Sequence, residues 1–361
     1  MRILYLDLER EWRGGQSQAL LTLRGLRELG HDAQLLAVRD SPLAKRAEAA
    51  GVTVHKVGAS ARRAAAAVLL RRLLLRAEFE LLHANEPHAL TAAWLAASRK
   101  NVPLVISRRV AYPLGQSSLA RRRYGMARRI LAISQFVAKS LLESGVPKKK
   151  IEIVYEGVEA PTPVTVEARQ NARRRWGVSD GEKLLGCVGY LLPEKGQEFA
   201  LRALSTVRRK FPGTRLLLAG DGPCRMKLHS LARQEGLGDA VIFAGFVEDV
   251  AQAYVALDAF VFPSLAEPLG TSLLAAMAWG LPVLAVASGG VPEYVEDGVT
   301  GVLVKEPDSE LLSTGMIRLL SDDSFRVKLG EEARRKIETH FSARHMVENT
   351  ISVYKDVLAS G

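Results

Sequence analysis

The sequence contains few cysteines and no long apolar segment. Only Cys187 and Cys224 occur among its 361 residues, so neither a disulfide framework nor a cysteine-based zinc site is supported. No window approaches the ~18 consecutive apolar residues that a membrane-spanning helix needs. The apolar start, Met1 to Leu8, is followed by Glu9 and is too short for a signal peptide. These absences predict a cytosolic protein.

Aromatic residues are also scarce, at 6% of the chain, which leaves few platforms on which nucleic-acid bases could stack. Charge is plentiful but uneven. The net charge is +11, and residues 1–175 carry +16 while residues 176–361 carry −5. Such an asymmetry indicates that the two halves have different partners. Because no recognised nucleic-acid motif accompanies the basic residues, we expect no nucleic-acid partner.

Short apolar segments alternate with helical patterns along the chain, which is typical of βαβ units and parallel sheets. In the first half we predict strands at Arg2–Leu8, Ala33–Val38, Val52–Lys56, Leu81–Asn85, Leu104–Ser107 and Ile130–Ser134, with helices that include Gln16–Leu29 and His88–Arg99. In the second half we predict strands at Leu184–Gly189, Arg215–Ala219, Val241–Ala244, Ala259–Phe262, Pro282–Ala285 and Gly301–Val304. The predicted helices there are Gly196–Lys210, Arg225–Glu235, Thr271–Trp279 and Ser309–Leu320. Each half is therefore predicted to be a doubly wound α/β domain.

The alternation breaks near residues 157–180, where Gly157, Pro161 and Pro163 mark a domain boundary. Ser342 has the character of an N-cap for a last helix that ends near Leu358. We therefore predict one domain over residues 1–160 plus 342–361 and a second over residues 161–341. The last helix is predicted to cross back to the first domain.

Several predicted strands end in residues that suit an anionic ligand. In the first half, Gly14 and Gly15 open a helix after the first strand, so a ligand could approach the backbone there. An ordinary glycine turn explains this pair equally well. The pattern is not G-x-G-x-x-G, so a nicotinamide cofactor is not predicted.

The second half carries stronger signals. Lys195 and Gly196 open a helix, and a lysine beside the positive end of a helix dipole favours an anion between them, such as a diphosphate. Glu267 is an isolated carboxylate in an apolar loop before the helix that starts near Gly270, and it could accept hydrogen bonds from sugar hydroxyls. The turn at Gly220 follows a strand at the same edge, although such turns are more often structural.

Together these segments resemble retaining glycosyltransferases of the GT-B fold, most closely family 4. The matching segments of the second half are Gly189…Lys195-Gly196, Leu217–Pro223, Phe243–Val247, Pro263-Ser264…Glu267 through Gly280–Val283, Ser288–Glu293 and Asp297-Gly298…Thr300-Gly301. The first half matches more loosely, at Gly14-Gly15, Leu82–Asn85, Ala132–Ser134 and Tyr155–Val158.

The resemblance implies two Rossmann-like domains that face each other across a cleft, with the acceptor on the first domain and the nucleotide sugar on the second. Lys195 would hold the donor diphosphate, and Glu267 would contact the transferred sugar. The same resemblance assigns further donor contacts to Gly15, Gly189, Gly220, Phe246, Val247, Leu269, Gly270 and Thr271. It makes His83 a candidate catalytic residue near the reacting sugar, with a buried core histidine as the equal alternative, and His88 a weaker second candidate.

Two residues depart from the family pattern. Ala275 stands where the family commonly has the second glutamate of a Glu-x7-Glu pair, and Tyr190 stands where many members have arginine. Loss of that glutamate would weaken ribose binding, change the donor, or mark a non-catalytic sugar-nucleotide-binding subunit. Because Lys195 and Glu267 are both present, we expect a working enzyme. Another GT-B activity, such as an epimerase or phosphorylase, also stays open.

The implied reaction is transfer from a nucleotide sugar with retention of anomeric configuration and without a metal or tightly bound cofactor. A UDP-sugar is the first expectation, with GDP- and ADP-sugars as alternatives. Arg108 and Arg109 directly follow a strand, so we expect them to face a phosphorylated, glycan or lipid-linked acceptor, such as one of the lipopolysaccharide type. The arginine-flanked apolar stretch Val68–Leu75 would suit an anionic membrane surface at the inner face, although a solvated helix face explains it equally well.

Overall fold

The computed structural model describes residues 1–76, 78–96, 102–115 and 118–360. The chain divides into two compact units. Unit 1 comprises Met1–Gly157 and Ala343–Gly361, and unit 2 comprises Val158–Ser342.

Unit 1 is built on a parallel sheet whose strand order is β3-β2-β1-β4-β5-β6-β7. Its strands are β1 Arg2–Asp7, β2 Asp32–Val38, β3 Val54–Val57, β4 Leu81–Ala84, β5 Leu104–Arg108, β6 Arg129–Ala132 and β7 Ile151–Ile153. Its helices are α1 Gly14–Glu28, α2 Pro42–Ala49, α3 Arg62–Arg76, α4 Pro87–Ala96, α5 Ser118–Gly125, α6 Gln135–Glu143 and α14 Ala343–Ala359. The central strand β1 is buried from Ile3 through Leu6, as expected of a strand covered by helices on both faces.

The edge strand β7 was not predicted. It has three residues, all partly or fully exposed, and follows the basic turn Lys148–Lys150, so it lacks the apolar run that reveals an inner strand. The predicted helix His88–Arg99 corresponds to α4, and Arg99 lies outside the described residues.

The C-terminal helix α14 belongs to unit 1, where it packs on α1. Gly25 of α1 makes this close packing possible, since a Cβ at this position would lie 2.6 Å from the Val347 side chain of α14. The two helices therefore approach each other at a point where a larger residue would push them apart.

Unit 2 contains a second parallel sheet, with the order β10-β9-β8-β11-β12-β13. Its strands are β8 Lys183–Val188, β9 Thr214–Ala219, β10 Val241–Gly245, β11 Ala259–Phe262, β12 Val283–Val286 and β13 Val302–Val304. Its helices are α7 Val166–Arg175, α8 Gln197–Lys210, α9 Arg225–Gln234, α10 Ala251–Ala256, α11 Thr271–Ala278, α12 Ser309–Ser321 and α13 Asp323–His340. The chain order reverses on the two sides of β8, and ligands of doubly wound sheets bind beyond the carboxyl ends of the strands at such a point.

Within the described part of the chain, no helix has the length and apolar character needed to span a membrane.

Candidate functional site

The predicted pair Lys195 and Glu267 meets at the carboxyl edge of the unit 2 sheet. The Lys195 Nζ donates a hydrogen bond of 2.6 Å to Glu267 Oε2. Glu267 is only 6% exposed, whereas the Lys195 side chain is 29% exposed. The two residues come from the loops after β8 and β11, which are neighbouring strands. A buried carboxylate held by a partly open lysine gives the site a cation that a ligand can reach.

The loops that carry these two residues lie backbone against backbone, and Gly196 makes this possible. Gly196 has a φ of 66°, and a Cβ there would lie 2.1 Å from the Pro263 carbonyl oxygen. The Leu265 amide also donates to the Glu194 carbonyl at 2.8 Å. The Lys195 turn and the Glu267 loop are therefore locked together.

A second glycine contact holds Glu267 from the β12 side. Gly289 has a φ of 56°, and a Cβ there would lie 1.9 Å from the Glu267 carbonyl oxygen. The Gly290 amide donates to the same oxygen at 2.9 Å. The Ser288 hydroxyl of the same β12 loop donates to the carbonyl of Ser264, in the loop that carries Glu267, at 2.7 Å. The main chain of Glu267 is thus fixed from both neighbouring strands.

Gly189 and Gly220 meet on the other side of Lys195. Gly220 has a φ of 151°, and a Cβ there would lie 1.9 Å from the Gly189 carbonyl oxygen. The Leu191 amide donates to the Asp221 carbonyl at 2.9 Å, which joins the β8 and β9 loops. The structure therefore brings these two predicted residues together in the loop that leads to Lys195.

The start of α11 forms the third part of the site. Gly270 has a φ of 99°, and no side chain caps the helix among the residues that the structure describes. The Leu269 side chain is fully buried, and its carbonyl accepts a 2.6 Å bond from the Tyr294 hydroxyl, a residue that sequence reasoning did not single out. The Leu273 amide donates to the Gly270 carbonyl at 3.0 Å, whereas the amides of Thr271 and Ser272 precede the first intrahelical bond and suit phosphate or sugar oxygens. Ala275 lies on the same helix, half-buried.

Phe246 and Val247 follow β10, at the far end of the strand order from Glu267. Phe246 is 71% exposed, whereas Val247 is buried. In the strand order, β9 separates β10 from β8, the strand that leads to Lys195. A contact with one ligand would need a molecule that extends along the sheet edge across the β8 and β9 loops.

Unit 1 has a buried polar network at the carboxyl ends of β1, β4 and β5. Asp7 Oδ2 accepts bonds from Gln16 at 3.0 Å and from Asn85 at 2.6 Å. The Asn85 Oδ1 accepts a 2.6 Å bond from Arg109, whose Nε donates to Glu156 at 2.7 Å. Burial raises the pKa of Asp7 above its ordinary value. Sequence reasoning missed Asn85 and Glu156 as members of a site, because their partners are distant in the chain.

His83 lies inside unit 1 rather than at its surface. The ring is 1% exposed; its Nδ1 lies 2.5 Å from the Tyr354 hydroxyl of α14 and its Nε2 lies 2.8 Å from the Ser107 hydroxyl. Burial lowers the pKa of His83 well below its ordinary value, so the ring is neutral. Both ring nitrogens are occupied by protein groups, which is the geometry of the core histidine that the sequence left as an alternative.

The two candidate acceptor residues differ in setting. Arg108 is 4% exposed, and its guanidinium donates to the Tyr124 hydroxyl and the Tyr112 carbonyl, so it anchors the following loop. Arg109 lies at the sheet edge, where a Cβ on Gly15 would be 3.4 Å from its side chain. Arg109 and Gly15 are thus brought together, whereas Arg108 is held by its own neighbours.

Within the described ranges, one group of side chains has the spacing of a cation site, namely Glu9, Glu86 and His88. Glu86 Oε1 accepts bonds from the Leu8 and Ala89 amides at 3.1 and 2.6 Å, and its Oε2 accepts one from the His88 amide. Burial, then the nearby Asp7, raises the pKa of Glu86 to about 7. Because both oxygens already accept amide hydrogens, this carboxyl caps the start of α4. An acid directly before a helix-starting proline was the sequence signal for this role.

The fold of both units is that of known GT-B proteins. A glycosyltransferase from Rickettsia africae superposes with a TM-score of 0.88 at 18% identity, over 100% of this chain and 99% of the other. HepE of Anabaena, solved with UDP and glucose, superposes with a TM-score of 0.87 at 22% identity, over 98% and 99% of the two chains. At these identities the likeness defines the fold class.

Two family models cover the two halves of the sequence. Residues 12–160 match the model described as Glycosyltransferase Family 4, and residues 168–336 match that described as Glycosyl transferases group 1. The chain therefore belongs to the family-4-like glycosyltransferases of the GT-B fold.

Curated relatives match part of the chain. An uncharacterized glycosyltransferase of Methanocaldococcus jannaschii is 34% identical over 231 residues, which are 61% of this chain and 58% of the relative. A GDP-mannose-dependent alpha-(1-6)-phosphatidylinositol monomannoside mannosyltransferase of Mycolicibacterium smegmatis is 32% identical over 215 residues, or 56% and 55% of the two chains. The chain thus spans little more than half the length of these relatives.

Proposed function

We propose that this protein transfers a sugar from a nucleotide-sugar donor to a glycan, phosphorylated or lipid-linked acceptor. The observation that carries the proposal is the 2.6 Å pair of Lys195 and Glu267 in interlocked loops at the carboxyl edge of the unit 2 sheet. A relative whose name specifies GDP-mannose and a similar structure solved with UDP support a nucleotide-sugar donor. A UDP-sugar is our first choice, with GDP- and ADP-sugars as alternatives.

In this proposal the donor diphosphate takes the exposed side of Lys195, and the first-turn amides of α11 take further donor oxygens. Glu267 accepts hydrogen bonds from the transferred sugar, and Phe246 with Val247 borders the base. Preorganised positive groups stabilise the charge that develops on the departing diphosphate, which is an electrostatic form of catalysis and requires no metal.

We further propose that the reaction retains anomeric configuration. No second carboxylate accompanies Glu267 in the part of its loop that the structure describes, so a covalent glycosyl intermediate formed between two flanking carboxylates is not favoured. The acceptor hydroxyl would then attack on the face from which the nucleotide departs. Anomeric analysis of the product by NMR would distinguish this course from inversion.

Unit 1 would hold the acceptor near Gly15 and Arg109, with His83 as a residue that supports this edge through Tyr354 and Ser107 rather than one that contacts the sugar. The relative named for a phosphatidylinositol mannoside supports a lipid-linked or phosphorylated acceptor. The proposed place of action is the cytoplasm, at the inner membrane face when the acceptor is lipid-linked.

The test is turnover of labelled UDP-, GDP- and ADP-sugars by the wild-type protein and by Lys195→Ala, with Lys328→Ala as the control. Lys328 is an exposed lysine on α13, so its loss changes the net charge equally. We expect Lys195→Ala to lose donor affinity by about tenfold or more, the worth of a charge-assisted hydrogen bond, while Lys328→Ala keeps wild-type values.

Equal activity of Lys195→Ala and Lys328→Ala would contradict the assigned site. Donor binding that depends on Lys195 but gives no transfer or hydrolysis across a broad acceptor screen would instead identify the non-catalytic sugar-nucleotide-binding subunit that Ala275 leaves open.

A further inference from the structure

An open cavity of about 550 Å³ lies on unit 1, between the segment that leads into α3 and the outer face of α4. The residues that line it are Ala59, Ala61, Arg62, Arg63, Ala64, Thr91 and Leu95. Three of these are alanines, whose small side chains leave the space open. The charged members are both arginines, so the concave surface carries positive charge and no lining carboxylate.

No direct ion pair among the described residues neutralises the two arginines, Arg62 and Arg63. Burial and then the two arginines lower the pKa of His88 at the start of α4, whereas the nearby Glu9 and Asp7 raise it. Two adjacent guanidinium groups without a carboxylate partner give the cavity a positive potential that attracts an anion.

A third arginine reaches the cavity wall from α5. Arg123 donates a 2.8 Å hydrogen bond to the Thr91 hydroxyl, which itself donates to the Pro87 carbonyl at 2.9 Å. The Arg123 Nε atom is buried and has no hydrogen-bond partner among the described residues.

The cavity is preformed rather than assembled by a loose segment. Ala61 enters α3 with a φ of 47°, a left-handed conformation that a non-glycine residue holds only where its surroundings impose it. Farther along α3, Arg71 donates to the carbonyl groups of Leu95 and Ala96, which fixes α3 against the end of α4. The separation of the cavity walls is thus set on both sides.

We propose that this cavity binds a phosphate group of the acceptor, with Arg62 and Arg63 as its direct ligands and Arg123 as the residue that holds Thr91 in the cavity wall. The planar guanidinium fork suits phosphate oxygens, and two adjacent forks match the charge of a phosphate better than that of a single carboxylate. The phosphate would belong either to a soluble sugar phosphate or to a lipid headgroup. This inference rests on the proposed transferase function, because it assigns the acceptor to unit 1.

The direct test is peptide-resolved modification of arginines by phenylglyoxal in the full chain, with and without inorganic phosphate at constant ionic strength. Arg72 and Arg76 provide internal controls, since they lie farther along the same helix and are exposed. We expect phosphate to slow modification of Arg62 and Arg63 and to leave Arg72 and Arg76 unchanged. Equal protection of all four, or of none, would overturn the site.

Vesicles then distinguish the two sources of phosphate. Protection of Arg62 and Arg63 beyond that of Arg72 and Arg76 by phosphatidylglycerol vesicles, as well as by free phosphate, would identify a lipid headgroup. Protection by free phosphate alone would identify a soluble phosphorylated acceptor. Since neither experiment contains a sugar nucleotide, its outcome is independent of whether the donor site in unit 2 works.

A pair of double variants measures how much Arg62 and Arg63 contribute to the affinity for inorganic phosphate. Arg62→Gln/Arg63→Gln and Arg72→Gln/Arg76→Gln remove the same charge from the same helix. With Lys195→Ala added to both, so that the donor site does not contribute, we expect the first to bind inorganic phosphate at least about tenfold more weakly than the second. Equal affinities in the two variants would contradict the proposal.

Discussion

Opposing interactions act on the protonation state of the Glu86 carboxyl. It accepts amide hydrogens from the start of α4, which favours the charged form, but burial and the nearby Asp7 favour the neutral form and raise its pKa to about 7. A raised carboxyl pKa means that the folded state binds the proton more tightly than the unfolded state. Its contribution to stability is therefore complete below the unfolded pKa and is lost as the pH rises through about 7.

We predict that the Glu86→Gln variant loses this pH dependence. The shift from 4.5 to about 7 corresponds to about 3 kcal/mol of unfolding free energy between pH 4 and pH 8 in the wild type. Urea unfolding across this pH range measures the change in unfolding free energy. Because the other carboxyl groups titrate in both proteins, their contributions cancel in the difference between the variant and the wild type. The amide adds a constant penalty, because its NH₂ group faces the His88 amide. Parallel curves for the two proteins would show that Glu86 titrates with an ordinary pKa.

Residue-scale predictions from the sequence depended on how far away the partners lie. Lys195 and Glu267 could be paired because each follows a recognisable strand end, and parallel strands end at one edge. For His83 the deciding partners are Ser107 and Tyr354, which lie 24 and 271 residues away. No local pattern reports that both ring nitrogens are filled, so the choice between a core histidine and a catalytic one needed the three-dimensional structure.

At the scale of elements, strand positions were predictable wherever the strand is buried on both faces. The predicted and observed β11, Ala259–Phe262, agree because a short run of four apolar residues between helical segments indicates a buried strand in an α/β pattern. The edge strand β7 has no such run and was missed. The contacts between loops were equally hidden: the sequence displays Gly196, Gly220 and Gly289, but not the carbonyl groups that each one faces.

These loop contacts allow a matched test of positioning. Gly289 has a φ of 56° and abuts the Glu267 carbonyl, while Gly236 has a φ of 65° and open space around its Cα. We predict that Gly236→Ala costs about 1 kcal/mol of stability, the strain of a left-handed residue. Gly289→Ala should cost more and should also weaken donor binding, since the alanine methyl must displace the Glu267 backbone.

Urea unfolding and donor-induced thermal shifts of the two variants measure both effects. If Gly289→Ala bound donors as well as Gly236→Ala does, the β12 loop would have no part in holding Glu267.

For the whole molecule, the charge asymmetry seen along the sequence corresponds to a difference in net charge between the two units. Unit 1 carries a net charge of +14 and unit 2 a net charge of −3. The positive charge is accompanied by exposed apolar groups on α3, where Val68 is 51% exposed and Leu75 is 73% exposed. Arg72 and Arg76 flank them on the same helix and are also exposed. Exposed apolar side chains among arginines are the composition that anionic lipid surfaces attract.

We predict that the full chain floats with phosphatidylglycerol vesicles and not with phosphatidylcholine vesicles, and that salt weakens the association because the Debye length falls from ~10 Å at 0.1 M to ~3 Å at 1 M.

Val68→Ser/Leu75→Ser should lower partitioning by about tenfold or more, since each apolar side chain loses its burial in the lipid interface. Val327→Ser is the control, because Val327 is 60% exposed on α13 of unit 2. Equal flotation with both lipids at moderate salt would contradict the preference for anionic lipid, and no flotation with either would leave only the soluble phosphorylated acceptor. Equal losses in the unit 1 and unit 2 variants would mean that α3 is not the contact surface.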